Sequence, residues 1–212
     1  MTAIPSATTQ GDVPGVWATP QAQEDARNLR ASLRDPERFG VIFDLYFVEI
    51  HRYIARRLGG DVADDLAAET FLTAFRKRRH FDGDRGIVRG WLYGIATRHI
   101  SRYQRSAVRA SRALARTPPP PAQDEGHADQ VVDRVTAAAS VGELSAALAG
   151  LSAGDREVLL LVAVGGLSHA EVAGALGIPY GTVGSRLSRA RRRLRAALGD
   201  TGPAHQEEHD HG

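Results

Sequence analysis

Apolar residues recur at steps of three and four through most of the chain, and nowhere do they alternate strictly with polar ones. The clearest case is "DPERFGVIFDLYFVEIHRYIARRLGG". Here Phe39, Ile42, Phe43, Tyr46, Phe47, Ile50, Tyr53, Ile54 and Leu58 fall on one wide helical face that has to be buried. Asp35 suits the N-cap, Pro36 the first turn and the pair Gly59-Gly60 the stop. A shorter helix is predicted before it, from Glu24 to Leu33. The next is predicted to start at an Asp61 cap and to bury Leu66, Phe71, Leu72 and Phe75. "FDGDRG" breaks that helix, and another follows from about Val88 to beyond Arg105, with Leu92, Ile95, Ala96, His99, Ile100 and Tyr103 inward. The second half gives four shorter helices, "VGELSAALAG", "SAGDREVLLLVAV", "SHAEVAGALG" and "PYGTVGSRLSRARRRLRAAL". Ser168 and Glu171 form a capping box at the start of the third, and Gly177 closes it. In the last, Val183, Leu187, Ala190, Leu194 and Leu198 form the packing face. A short capped helix, a tight turn and a longer basic helix make a helix-turn-helix.

The expected fold is therefore all-α, with two small helical domains on either side of a proline-rich linker. Residues 1–22, rich in Thr, Pro, Gly and Ala, read as a disordered tail. The first domain is expected over 23–113 and the second over 141–199. The linker of 114–140 contains four consecutive prolines, which no helix interior accepts. An acidic tail with three histidines occupies 200–212.

Net charge alters this picture less than its distribution. The formal charge of the 212 residues is only +2, yet Arg76 to Arg116 holds twelve Lys or Arg against Asp82 and Asp84, a local balance of +10. Arg186 to Arg195 adds six arginines and no acid. Two concentrated basic segments in a near-neutral chain point to a polyanion, and nucleic acid is the expected partner. The absence of cysteine excludes disulfides, thiol catalysis and cysteine-ligated zinc. No apolar run reaches the roughly 18 residues of a membrane helix. No basic segment followed by an apolar core opens the chain. A cytoplasmic location is expected.

Both basic segments lie on helices, and their spacing suggests different tasks. Arg98, Arg102, Arg105, Arg109, Arg112 and Arg116 recur at steps of four and three, one stripe of a helix. Trp91 falls at nearly the same angle and heads the row. An aromatic ring followed by a row of cations suits unpaired single-stranded DNA, the ring stacking on a base while the arginines track phosphates. A core tryptophan followed by solvated arginines has the same spacing. In the last helix the side opposite the packing face carries Thr182, Ser185, Arg186, Ser188, Arg189, Arg192 and Arg193. With its N-terminal third in a major groove, Ser185 and Arg189 would reach base edges and the later arginines phosphates.

The segments "DDLAAETFLTAFRKRRHFD", "GWLYGIATRHI" and "LSHAEVAGALGIPYGTVGSRLSRARRRLR", in that order, resemble bacterial RNA polymerase sigma factors of the extracytoplasmic-function type. The resemblance covers about 24–113 and 141–199. It implies a promoter-specificity subunit that binds the β and β′ subunits of core RNA polymerase, recognises promoter DNA at −35 and −10, and melts it. Asp65, Leu66, Glu69 and Phe71 match the polymerase-binding motif, although Leu66 and Phe71 equally suit a core. The helix of Trp91, Arg98, Arg102 and Arg105 matches the −10 reader. Thr182, Ser185, Arg186 and Arg189 match the −35 reader. The resemblance also implies an anti-sigma factor that holds the chain inactive. Arg98 stands where many members carry Asn, and Gly184 where Lys or Arg is usual, so the bases read are not inherited from relatives. Two other functions fit parts of the sequence. A helix-turn-helix regulator independent of polymerase would leave the first domain without a task. A metal-dependent enzyme would rest only on "HQEEHDHG", with His205, His209 and His211, around which nothing folded sets a geometry. No activated nucleophile and no phosphate-cradling loop is recognised, so neither enzymatic activity nor a cofactor is expected.

Overall fold

The computed structural model describes residues 19–82, 86–114 and 142–199. The expected disordered start, the proline-rich linker, Trp17 and the histidine tail lie wholly or largely outside them. Every regular element among the described residues is helical: α1 (Pro20–Ala31), α2 (Phe39–Leu58), α3 (Ala63–Lys77), α4 (Val88–Leu114), α5 (142–149), α6 (Ala153–Ala163), α7 (His169–Leu176) and α8 (Tyr180–Leu198). The all-α expectation holds. The described residues form two compact units, the first up to residue 114 together with 160–184, the second 142–159 together with 185–199.

Several ends differ from the sequence reading, each for a local reason. α1 begins at Pro20 rather than Glu24, because Thr19 accepts a hydrogen bond from the Ala22 amide and Pro20 takes the first turn. Asp35 makes no side-chain cap. Pro36–Arg38 instead form a 3₁₀ turn that leads into α2 at Phe39. α3 starts at Ala63 without a side-chain cap, so Asp61 does not act as one. The prediction for α7 is met in full. Ser168 and Glu171 close a capping box, and Gly177 ends the helix at φ 64°, in the left-handed region that glycine adopts without strain.

In the first unit the core lies between α1, α2, α3 and α4. Leu29, Ile42, Ile50, Ile54, Ala67, Phe71, Leu92, Ile95 and Ile100 are buried. Aromatic edges interlock across it: Phe39 meets Phe75 at 5.3 Å between centroids, Phe43 meets Phe71 at 5.0 Å, and Tyr53 meets Tyr93 at 4.8 Å. Buried polar groups are paired. Tyr46 donates its hydroxyl proton to Asp25, which also accepts from Gln21 at 2.8 Å, and the Tyr53 hydroxyl lies 3.0 Å from that of Thr97. Four expected core residues lie outside: Phe43 is 38 %, Leu72 47 % and Tyr103 39 % exposed, and in the last helix Leu198 is 37 % exposed, at the helix end where no element of the described residues covers it.

α7 also belongs to this unit and packs on α4. The two backbones meet where α4 carries glycine four residues apart. A Cβ on Gly90 would lie 2.8 Å from the Glu171 carbonyl oxygen, and one on Gly94 would lie 2.3 Å from that of Ala175. α7 contributes small residues to the match, with Ala170, Ala173 and Ala175 buried. Close approach of this kind maximises dispersion contact and leaves no space for a side chain.

In the second unit, α5 leads to buried Leu151, and the start of α6 contributes Val158 and Leu159. Leu187 and Ala190 of α8 complete its buried set.

Two glycine substitutions should therefore have opposite signs. Gly94→Val would overpack the contact and lower stability by about 1–3 kcal/mol. Gly184→Ala, in a helix interior with nothing within 4 Å of the added carbon, should raise it by up to ~1 kcal/mol. Thermal unfolding of the two variants beside the parent checks both.

Candidate nucleic-acid interface

The arginine row of α4 begins where Trp91 leaves the core. Val88, Leu92, Ile95, Ala96 and Ile100 fix one side of the helix inward. The rotation that buries them turns Arg98 outward, and Arg102, Arg105 and Arg109 are exposed on the stretch from 102 to 110, where α4 has left the core. None of these four forms an ion pair or hydrogen bond with another described residue. Trp91 is half-buried, its indole 5.2 Å from the Phe81 ring, so one aromatic edge is braced from behind. Arg112 lies within α4, and Arg116 lies outside the described residues.

Other arginines of the same basic stretch are not available in this way. Arg78 stacks on the Phe75 ring at 3.7 Å and donates to the Ser32 carbonyl at 3.3 Å. Arg89, only 22 % exposed, joins three elements. Its Nε donates to Glu49 at 2.8 Å, its Nη1 to Glu171 at 2.9 Å and its Nη2 to the Gly165 carbonyl at 3.0 Å. Tyr93 adds its hydroxyl to Glu49 at 3.0 Å. Burial alone would lower the Arg89 pKa, but the two carboxylates more than reverse that and fix its charge. For Glu171, burial works upward and the hydrogen bonds from Arg89 and Ser168 work downward. The net shift is downward, so it stays ionised.

The acidic face of α3 presents Asp65 and Glu69 to solvent. Leu66 and Phe71, matched to the same motif, are in the core at 8 % and 3 % exposed and support the face from beneath. Leu72 joins Asp65 and Glu69 outside. α2 exposes Val41, Leu45 and Val48, a row at steps of four and three. The sequence reading assigned Leu72 to the core and did not single out this row. Its only signal was that α2 is too apolar to bury on one side.

His99 joins α3 to α4. Its Nε2 lies 3.1 Å from the Thr73 hydroxyl and its Nδ1 3.4 Å from Glu69. Burial lowers its pKa. Glu69 opposes this, while Arg102, Arg98 and Lys77 reinforce it.

On α8, Ser185, Ser188 and Arg192 lie opposite the buried Val183, Leu187 and Ala190, and all three are exposed. Thr182 and Arg186 are partly covered, while Arg193 is exposed. Arg189 is held by Asp155 of α6, with Nε 3.1 Å from Oδ2 and Nη2 2.9 Å from Oδ1. Its hydrogen bond is the main reason that the Asp155 carboxyl titrates below the usual range. Asp155 drew no notice in the sequence.

The sequence matches the family "Sigma-70 region 2" over residues 45–110 and the family "Sigma-70, region 4" over 142–194. It is 37 % identical over 152 residues to the ECF RNA polymerase sigma factor SigC of Mycobacterium tuberculosis, covering 70 % of this chain and 76 % of that one. It is 34 % identical over 183 residues to SigL of the same species, covering 84 % and 98 %. The chain belongs to the ECF sigma-70 factors. It is a promoter-specificity subunit of RNA polymerase, and its partners are core polymerase and promoter DNA. Among solved structures, that of CnrH in complex with the cytosolic domain of CnrY is similar at a TM-score of 0.54 and 25 % identity, covering 84 % of this chain and 99 % of that one. In this sigma factor the region 2 match contains α3 and almost all of α4 through Ala110, together with most of α2. The region 4 match runs from α5 into α8. Among the described residues no helix is long and apolar enough to cross a membrane, and no cluster of metal-binding side chains occurs.

The lowered His99 pKa has a defined sign. Protonation is disfavoured in the folded state, so the stability that His99 contributes is present above about 6.5, the ordinary imidazole value, and is lost as pH falls through its lower folded pKa. The sigma factor should lose thermal stability on acidification below that value. His99→Gln should remove part of this loss, measured as melting temperature against pH.

Proposed function

We propose that the two halves of this sigma factor grip one promoter in different states, strand-separated at −10 and paired at −35. The row of exposed arginines on α4, without an ion pair among the described residues and headed by the braced Trp91, carries the first assignment. A stacking surface beside cations free to meet phosphates is what unpaired DNA requires. Trp91 accepts a base of the −10 element, and Arg98, Arg102 and Arg105 hold the backbone. For the second assignment, α8 follows a capped helix and a tight turn, the geometry of a major-groove reader. Thr182, Ser185, Arg186, Ser188 and Arg189 face the −35 bases, and Arg192 and Arg193 meet phosphate.

Asp65 and Glu69, with exposed Leu72 between acidic and apolar surface, form the contact with the β′ clamp helices, and the second half meets the β flap. Leu66 and Phe71 keep that surface rigid. In sequence terms, 23–113 acts as the polymerase and −10 module, 114–140 as the connecting linker and 141–199 as the −35 module. The two family matches support this division. The factor acts without covalent chemistry of its own and works in the cytoplasm with polymerase. An anti-sigma protein holds it inactive. The complex of CnrH with the cytosolic domain of CnrY supports a protein partner of that kind.

Run-off transcription with core polymerase on fragments of the native genome tests the assignment as a whole. The chain should direct initiation from defined start sites. Trp91→Ala should leave upstream duplex binding nearly unchanged. It should slow opening roughly 5- to 150-fold, the range of one lost stacking contact of ~1–3 kcal/mol, read as permanganate reactivity of unpaired thymines. Equal loss of duplex binding and opening would contradict the division of labour.

A further inference from the structure

We propose that Asp155, in the first turn of α6, is a positioning residue that sets −35 base preference by aiming Arg189. This rests on the reading of α8 as the −35 recognition helix. Asp155 belongs to none of the segments that carried the resemblance, and its side chain is 3 % exposed, whereas that of Arg189 is 45 % exposed. The carboxylate therefore lies beneath the arginine and not beside it in solvent.

The geometry decides which edge of the guanidinium remains. Asp155 takes Nε and one proton of Nη2, at 3.1 and 2.9 Å. The end-on fork, Nη1 and the second proton of Nη2, is left over. That fork can still form a bidentate pair with guanine O6 and N7. At the same time the ion pair cancels the charge that would otherwise draw Arg189 to the nearest phosphate. The carboxylate thus moves the arginine from non-specific attraction towards base reading. Asp155 is itself fixed: its amide donates to Ser152 Oγ at 3.2 Å, and its charge lies at the N-terminal end of α6, where a helix favours an anion.

A second arginine of α8 is seated on the same turn. A Cβ on Gly154 would lie 2.6 Å from Arg186 Nη1 and 3.1 Å from its Cζ, so the guanidinium rests on the bare backbone of the glycine. The dipeptide Gly154-Asp155 thus serves as a platform for two arginines one helical turn apart. A methyl group at Gly154 meets only the far end of a flexible side chain, so Gly154→Ala shifts Arg186 without disturbing backbone packing.

The test uses holoenzyme assembled from core polymerase and the full-length chain. A duplex library randomised over the upstream element is selected with the parent holoenzyme. Binding is then measured for the winning duplex, for its single-base-pair variants and for unrelated duplex, each over a range of salt. Asp155→Asn should reduce discrimination at one base pair by about 5- to 150-fold, the range supplied by one bidentate pair. It should also tighten binding to unrelated duplex and steepen its salt dependence, because Arg189 is released to phosphate. Arg189→Lys should lose discrimination at the same base pair, and Asp155→Glu should recover part of it. Gly154→Ala, which leaves the ion pair intact, should change preference at a different base pair.

Loss of discrimination in Arg189→Lys with none in Asp155→Asn would overturn the positioning role and leave the recognition helix standing. No loss in either variant would overturn both the positioning role and the assignment of Arg189 to a base. If Asp155→Asn proves unstable by thermal melting, Asp155→Glu decides alone. Lengthening the carboxylate by one methylene must then alter preference at that base pair without altering core binding, and an unchanged preference overturns the proposal.

Discussion

The contact between α4 and α7 is the constraint that the arrangement of the first unit depends on. Hydrophobic burial fixes α4 against α2 and α3 on one side, and at Gly90 and Gly94 the backbone of α7 closes over it on another. With both sides committed, the remaining surface of the helix has only one orientation. Arg98 points to solvent because Leu92, Ile95, Ala96 and Ile100 are held inward, and Arg102, Arg105 and Arg109 do so because α4 runs on beyond the core after Ile100. Arg89 stands at the edge of this contact, where its three hydrogen-bonding partners, Glu49, Glu171 and the Gly165 carbonyl, come from three separate parts of the chain. Polar groups at such an edge contribute mainly by being fully satisfied. An unpaired carboxylate there would cost far more than the pair contributes.

Arginines of one composition class therefore do two kinds of work. Arg78 and Arg89 hold the fold, and Arg189 is held by it. Among the described residues Arg98, Arg102, Arg105 and Arg109 of α4 have no such commitment, and their charge is available to a polyanion. Salt dependence of DNA binding counts only the phosphates that are neutralised, so it would report the uncommitted set and not the number of basic residues in the sequence. A local balance of +10 between Arg76 and Arg116 overstates the field that a phosphate backbone would meet.

Periodicity made the architecture legible. The helical face from Phe39 to Leu58 and the capping box at Ser168 are short-range signals; the capping box is found as expected, and the face is found with Phe43 outside the core. The start of α1 was hidden because Thr19 and Pro20, a cap and a first turn, sit among residues whose composition reads as a tail. Leu72 and Tyr103 were misplaced for a different reason. Apolar spacing identifies a face that prefers burial, and it does not distinguish the protein's own core from a partner's surface. The candidate site was legible as a stripe and a recognition helix, but not its supports. Arg89 with Glu171 and Asp155 with Arg189 are separated by 82 and 34 residues, and no local pattern encodes such pairings.

Glu171 divides its two oxygens between two duties. Oε2 closes the capping box with Ser168, and Oε1 receives Arg89 of α4. Fraying of the first turn of α7 is thus coupled to loosening of its ion pair with α4, since one side chain serves both. Any ligand that orders the beginning of the helix-turn-helix would by linkage favour the ion pair of Glu171 with Arg89 of α4.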